Sequence, residues 1–250
     1  MILIKRCRND AKYDIYFFSG LFAYSNQWEQ LIRNIPKNFN IYCIELPGHG
    51  ENKKKVIFEY ESYLKLLTRE INKISSNRKM FFVGQSLGGL SILALTKFIG
   101  INNVEKIILI NVATKQIVRD KENFLKLLAN NTELIMIKHM KKMFARRQQF
   151  EENKGQLMLK PEIYYKLVEY IINNDFSKLS SYCDVKKIYV IMSKKLFGIN
   201  TKRILHKYGY DKIDKKHCYI INSRDYFMQY FMNKEIELFI KDILMEENNG

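Results

Sequence analysis

Apolar runs of four to six residues recur along the first 111 positions: Ile15-Tyr16-Phe17-Phe18, Ile41-Tyr42-Cys43-Ile44, Met80-Phe81-Phe82-Val83 and Ile107-Ile108-Leu109-Ile110. They are near-continuous rather than alternating, which is the pattern of strands covered on both faces. Residues 2–8 read as a further short strand. Between the runs the apolar spacing becomes helical. Trp28, Leu31, Ile32 and Ile35 form one stripe, with Ser25 as its expected N-cap and Pro36 as its stop. Tyr63, Leu66, Leu67 and Ile74 form another over residues 60–74, and Leu90–Leu95 begin a third. Strands alternating with helices predict an α/β fold with a mostly parallel sheet and helices on both faces.

From about Val112 to residue 186 only helical spacing is found. Strand character returns at Lys187–Ser193, followed by an expected helix over 201–207, a short edge strand at Asp211–Asp214, a loop at Lys216-His217-Cys218 and a last helix over 226–244. This predicts one domain over residues 1–250 with a helical cap inserted at about 112–186. Met136, Met140 and Met143 are expected in the cap core. Lys138–Arg147 is a basic amphipathic run in which His139, like His206 further on, is expected on a solvated face.

The segment Val83-Gly84-Gln85-Ser86-Leu87-Gly88-Gly89 joins an apolar strand to an apolar helix. G-x-S-x-G in that context is a sharp turn that lifts the serine hydroxyl clear of the sheet. A Cβ at either glycine would collide with neighbouring backbone. The helix after Ser86 points its first N–H groups at the place where negative charge would develop.

With Leu46-Pro47-Gly48-His49-Gly50 after one strand and Ser19-Gly20-Leu21 after another, the sequence resembles the small, cap-bearing branch of the α/β-hydrolase superfamily over almost its whole length. The resemblance implies a mechanism. Ser86 is the nucleophile, His217 its base, and the backbone N–H groups of Leu21 and Leu87 hold the oxyanion, at about 3–4 kcal/mol per donor. The chain departs from the family at three places. Glu45 stands where Asp is usual before the Pro-Gly-His-Gly turn, and Ser19 replaces the His of the oxyanion loop. His49 falls at a position that is usually structural. The acid is absent: Leu196 occupies its expected position, so either a dyad works alone, or Asn111 or Asn200 orients His217, or a carboxylate comes from elsewhere in the chain.

The implied activity is cofactor-free hydrolysis of a small ester or acyl thioester. Two alternatives stay open, a lyase of the menaquinone-pathway type on the same scaffold and a non-catalytic or feebly catalytic binding protein. Charge adds a partner. Lys and Arg number 42 against 26 acidic residues, a formal +16, which suits an acidic acyl carrier protein. No nucleic-acid-reading motif accompanies the charge. No C-x-x-C pair suggests metal or redox chemistry, and the scattered Cys7, Cys43, Cys183 and Cys218 are expected to be reduced thiols. No apolar stretch reaches membrane-spanning length, and the first residues do not form a signal peptide, so a cytoplasmic location is expected.

Overall fold

The computed structural model describes residues 2–52, 59–75, 77–99, 103–115, 118–143, 159–179, 182–194, 201–222 and 234–245. Seven strands form one sheet: β1 (Ile2–Arg6), β2 (Tyr13–Phe18), β3 (Phe39–Ile44), β4 (Lys79–Gln85), β5 (Val104–Ile110), β6 (Ile188–Ser193) and β7 (Cys218–Ile221). Their order is β1-β3-β2-β4-β5-β6-β7, and every pair is parallel except β1 with β3. The α/β class and the mostly parallel sheet expected from the apolar runs are therefore found.

Each central strand divides its side chains between two cores with period two. Tyr16, Phe18, Tyr42, Ile44, Met80, Phe82, Ile107, Leu109, Val190 and Met192 face one cluster. Ile15, Phe17, Ile41, Cys43, Phe81, Val83, Ile108, Ile110, Tyr189 and Ile191 face the other. Helices α2 (Tyr60–Ile74) and α3 (Leu87–Leu95) cover the first face. Helices α1 (Glu29–Arg33) and α8 (Lys234–Met245) cover the second. Both faces are apolar because both are buried.

The stripe begun by Trp28 is shorter and tighter than its spacing suggests. A 3-10 turn over Ser25–Trp28 precedes the five-residue α1. Ser25 does not cap it by its side chain; its N–H instead donates to Glu45 Oε1 at 3.0 Å.

Between β5 and β6 the described residues form helices α4 (Lys121–Asn130), α5 (Thr132–Met143) and α6 (Pro161–Asn173), and the 3-10 turn Val185–Lys187, with no strand among them. Helix α7 (Thr201–Tyr208) follows β6.

One element is misplaced by the sequence pattern. Asp211–Asp214 is not a strand. It leads into a 3-10 turn over Lys215–His217, and the strand comes after it, as β7. Two aspartates disfavour a ladder, whereas Tyr219, Ile220 and Ile221 favour one. All four cysteines are free: Cys43 and Cys183 buried, Cys218 half-buried, Cys7 exposed.

Candidate active site

β4 ends at Gln85 and α3 begins at Leu87, so Ser86 stands alone at the turn with φ 50° and ψ −119°. A positive φ at a non-glycine residue costs about 1–3 kcal/mol and persists only where the surroundings enforce it. Here they do. The Ser86 N–H donates to Ile110 O at 3.0 Å. A Cβ on Gly84 would lie 2.7 Å from Gly89 Cα, and one on Gly88 would lie 2.4 Å from Phe18 O. The residues before and after, from Met80 to Gln85 and from Leu87 to Leu95, are buried, while Ser86 is partly exposed.

The loop after β2 lies against the start of α3, as the Gly88–Phe18 approach requires. It carries Leu21, buried, and Phe22, buried with φ 64°. The Phe22 N–H donates to His49 Nε2 at 3.0 Å, and His49 Nδ1 lies 2.8 Å from Pro47 O. An amide only donates, so Nε2 must accept and Nδ1 must carry the proton. Burial pushes the His49 pKa down to about 4. The ring is thus a neutral, fully committed brace that joins the Pro-Gly-His-Gly turn to the loop. Ser19, in the place of the family's histidine, accepts a hydrogen bond from Trp28 Nε1 at 3.2 Å. Glu45 is buried and its carboxyl pKa is raised by desolvation.

His217 is not brought to Ser86. It precedes β7 instead of following it. The register β4–β5–β6–β7 places Cys218 level with Gly84, through Leu109 and Val190. His217 therefore lies about 10 Å back along the strand direction and three strands, about 14 Å, across from the serine. Its ring stacks on Tyr189 at 4.2 Å, and Tyr189 packs in the core under α1 and α8, on the face away from α3, Leu21 and Phe22. Among the described residues, His217 Nδ1 is buried without a hydrogen-bond partner. β7 ends at Ile221, and the chain has no histidine beyond 217.

Asn111 is near the elbow but does other work. It has φ 49°, its N–H donates to Ile191 O at 2.8 Å, and its Oδ1 accepts from the Ser193 N–H at 2.9 Å. It ties the ends of β5 and β6 together. Asn200 and Leu196 lie outside the described residues, as do residues 144–147 of the basic run.

One of the two histidines expected on a solvated face is not there. His206 is 75% exposed and bonds Asp211, as a solvated helix position should. His139 instead turns inward from α5. Its Nδ1 lies 2.9 Å from Tyr164 Oη on α6, and its ring meets Phe22 edge-on at 5.3 Å. Burial, and then the charge of Lys142, hold its pKa below the ordinary histidine value. The available signal was its spacing: Met136 and Met140, one on each side of it, both pack on the core.

A model of the α/β hydrolase fold matches residues 15–200. A Haemophilus influenzae protein whose name assigns it, provisionally, as a 2-succinyl-6-hydroxy-2,4-cyclohexadiene-1-carboxylate synthase is 36% identical over 76 residues, 30% of each chain. Human monoacylglycerol lipase ABHD6 is 26% identical over 87 residues, 34% of this chain and 26% of its own. These matches span about a third or less of the relatives' lengths. Among solved structures, a study of Nitrososphaera gargenis carboxylesterases provides one at TM-score 0.72 and 16% identity, covering 99% of this chain and 95% of the other. MenH from S. aureus aligns at TM-score 0.71 and 15% identity, covering 99% and 98%. Sheet order, elbow and family match agree, and the chain belongs to the α/β-hydrolase fold family.

Proposed function

We propose that the chain performs serine-based acyl chemistry at Ser86 on a small carboxylic ester or acyl thioester, with a proton acceptor other than His217. The observation that carries this reading is the backbone of Ser86. A side chain held at φ 50° on a turn between a buried strand and a buried helix is costly, and it leaves the serine partly exposed where its neighbours are not. The Leu87 N–H at the start of α3 and the Leu21 N–H in the adjoining loop are the donors for the oxyanion. Helices α4 to α6 act as the cap, and Met136 and Met140 supply an adaptable wall for an acyl chain.

The exposed Lys138, Lys141 and Lys142 on α5 favour an acyl group presented by an acidic carrier. Affinity for such a carrier should fall steeply with salt, while affinity for a neutral ester should not.

The decisive experiment is labelling with a fluorophosphonate, followed by peptide mapping. A phosphonylated Ser86 supports acyl chemistry, and an unlabelled Ser86 in folded protein removes it. A second reading, a binding protein with an inherited elbow, is favoured by the position of His217 on the opposite face of the sheet. It predicts ligand binding without labelling. A lyase reading, in keeping with the 36% match to a protein named as a synthase, predicts formation of a 2-succinyl-6-hydroxy-2,4-cyclohexadiene-1-carboxylate without an acyl-enzyme.

A further inference from the structure

If Ser86 is the nucleophile, a base must be found. The chain has four histidines. His49 has both ring nitrogens committed to Phe22 and Pro47. His206 lies on the surface against Asp211. His217 lies on the far face of the sheet. His139 lies on the face of the sheet that carries α3 and the Leu21–Phe22 loop, and its ring packs on Phe22 itself.

We propose that His139, held by Tyr164, is the proton-transfer residue of the elbow pocket. The inference rests on the acyl-chemistry reading of Ser86. His139 sits between Met136 and Met140 on the inward stripe of α5, a polar group among apolar ones. Its ring is fixed from two sides, edge-on to Phe22 at 5.3 Å and against the Tyr164 ring at 6.0 Å. Phe22 in turn stacks on Tyr164 at 5.8 Å. The loop that presents Leu21 and the imidazole are therefore held by one aromatic cluster.

The Tyr164 hydroxyl can accept the Nδ1 proton, which leaves Nε2 as the base nitrogen. Burial raises the Tyr164 pKa to about 12, so its hydroxyl stays neutral at pH 7 and orients the imidazole without neutralising its positive form. That is weaker support than a carboxylate gives, and turnover should be modest accordingly.

The step balances. In the proposed step the Ser86 Oγ–H proton passes to His139 Nε2, directly or through a water. The freed electron pair forms the Oγ–C bond, and the carbonyl π pair moves onto the oxygen held by the Leu21 and Leu87 N–H groups. Collapse breaks the bond to the leaving alkoxide or thiolate, which takes the proton back from Nε2. Water repeats the sequence to free the acid and Ser86.

The groups that bear on His139 are Tyr164 from α6, Lys142 from its own helix, and neutral His49, bonded to the N–H of the Phe22 against which it packs. The labelling rate of Ser86 should therefore fall with an inflection below pH 6.5 as His139 protonates. The test is fluorophosphonate labelling across pH 4.5 to 9 in wild type, His139→Ala, Lys142→Glu and His217→Ala. His139→Ala should slow labelling roughly 100-fold or more at neutral pH, lose the inflection, and recover rate with added imidazole. Lys142→Glu, at an exposed site, should move the inflection upward, a shift that a purely structural histidine would not produce. Should His139→Ala unfold, that shift decides alone. Labelling with the same rate and inflection in His139→Ala, or no shift in Lys142→Glu, overturns the assignment of His139 and leaves acyl chemistry at Ser86 standing. Wild type unlabelled at every pH overturns the acyl reading and this one with it.

Discussion

The two ends of the central strands are built on opposite plans. At the amino end, Asp14 accepts from Asn40 Nδ2 and from Arg78 Nε, each at 2.9 Å, and from Ser75, whose hydroxyl also bonds Tyr16 at 2.6 Å. A buried carboxylate is tolerable only with such a set of partners. At the carboxyl end the described non-glycine residues with positive φ are Phe22, Ser86 and Asn111, just past β2, β4 and β5. One edge is satisfied and regular, the other strained. Strain of this kind gathers where a fold presents groups to a ligand, and satisfied networks gather where it needs only to stay folded.

Breaking the serine tests the strained edge most severely. Ser86→Ala should abolish labelling and ester turnover while thermal unfolding stays close to wild type. Ser86→Gly should also be inactive, yet it should stabilise the fold by about 1 kcal/mol, because glycine accepts the backbone angles without a Cβ. A Ser86→Gly protein less stable than wild type by calorimetry would show that the turn is not strained.

The amino edge should answer in the opposite sense. Asp14→Ala strands Arg78, Asn40 and Ser75 and should cost about 3 kcal/mol in denaturant unfolding. Labelling per folded molecule should not change. A fall in the labelling rate of folded Asp14→Ala would erase the division between the edges.

The His49 brace joins stability to pH. Its folded pKa, about 4, lies below the ordinary 6.5 of the unfolded chain. At pH 7 both states are neutral and nothing is lost. As pH falls through 6.5 the unfolded state takes up a proton that the folded state refuses. Stability should therefore drop by about 3 kcal/mol between pH 6.5 and 4. His49→Gln should flatten that slope in urea titrations at stepped pH. An unchanged slope would place the acid sensitivity elsewhere.

The smallest expected effect is at His217. His217→Ala should leave labelling unchanged and cost about 1 kcal/mol from the lost stack on Tyr189. A large loss of activity there would contradict the placement of this residue on the far face.

Much of the fold was legible because both sheet faces are buried, so β2 to β6 appear as unbroken apolar runs with few competing readings. β7 was not legible. It has four residues, of which only Ile221 is buried, and it gives almost no hydrophobic signal. That single missed strand moved His217 from before a strand to after one, and with it the reading of the base. His139 failed for a different reason. Its neighbours Lys138, Lys141 and Lys142 are exposed and dominate the local pattern. What turns the ring inward is Tyr164, 25 residues further on, a contact that no window of sequence contains. The serine turn was readable because sterics and chemistry act there on the same few positions.

That coincidence bears on how the chain would drift over generations. Gly84 is fixed by the close approach of the Gly89 backbone, Gly89 by the Val112 side chain, and Gly88 by the carbonyl of Phe18. A lineage that had given up catalysis would still be held to these glycines by the packing of its core, but nothing in that packing requires the hydroxyl of Ser86. In natural variants the informative position is therefore 86 alone. Glycines that persist beside a wandering residue 86 would mark a scaffold in retirement, and a serine as fixed as the glycines would mark one still at work.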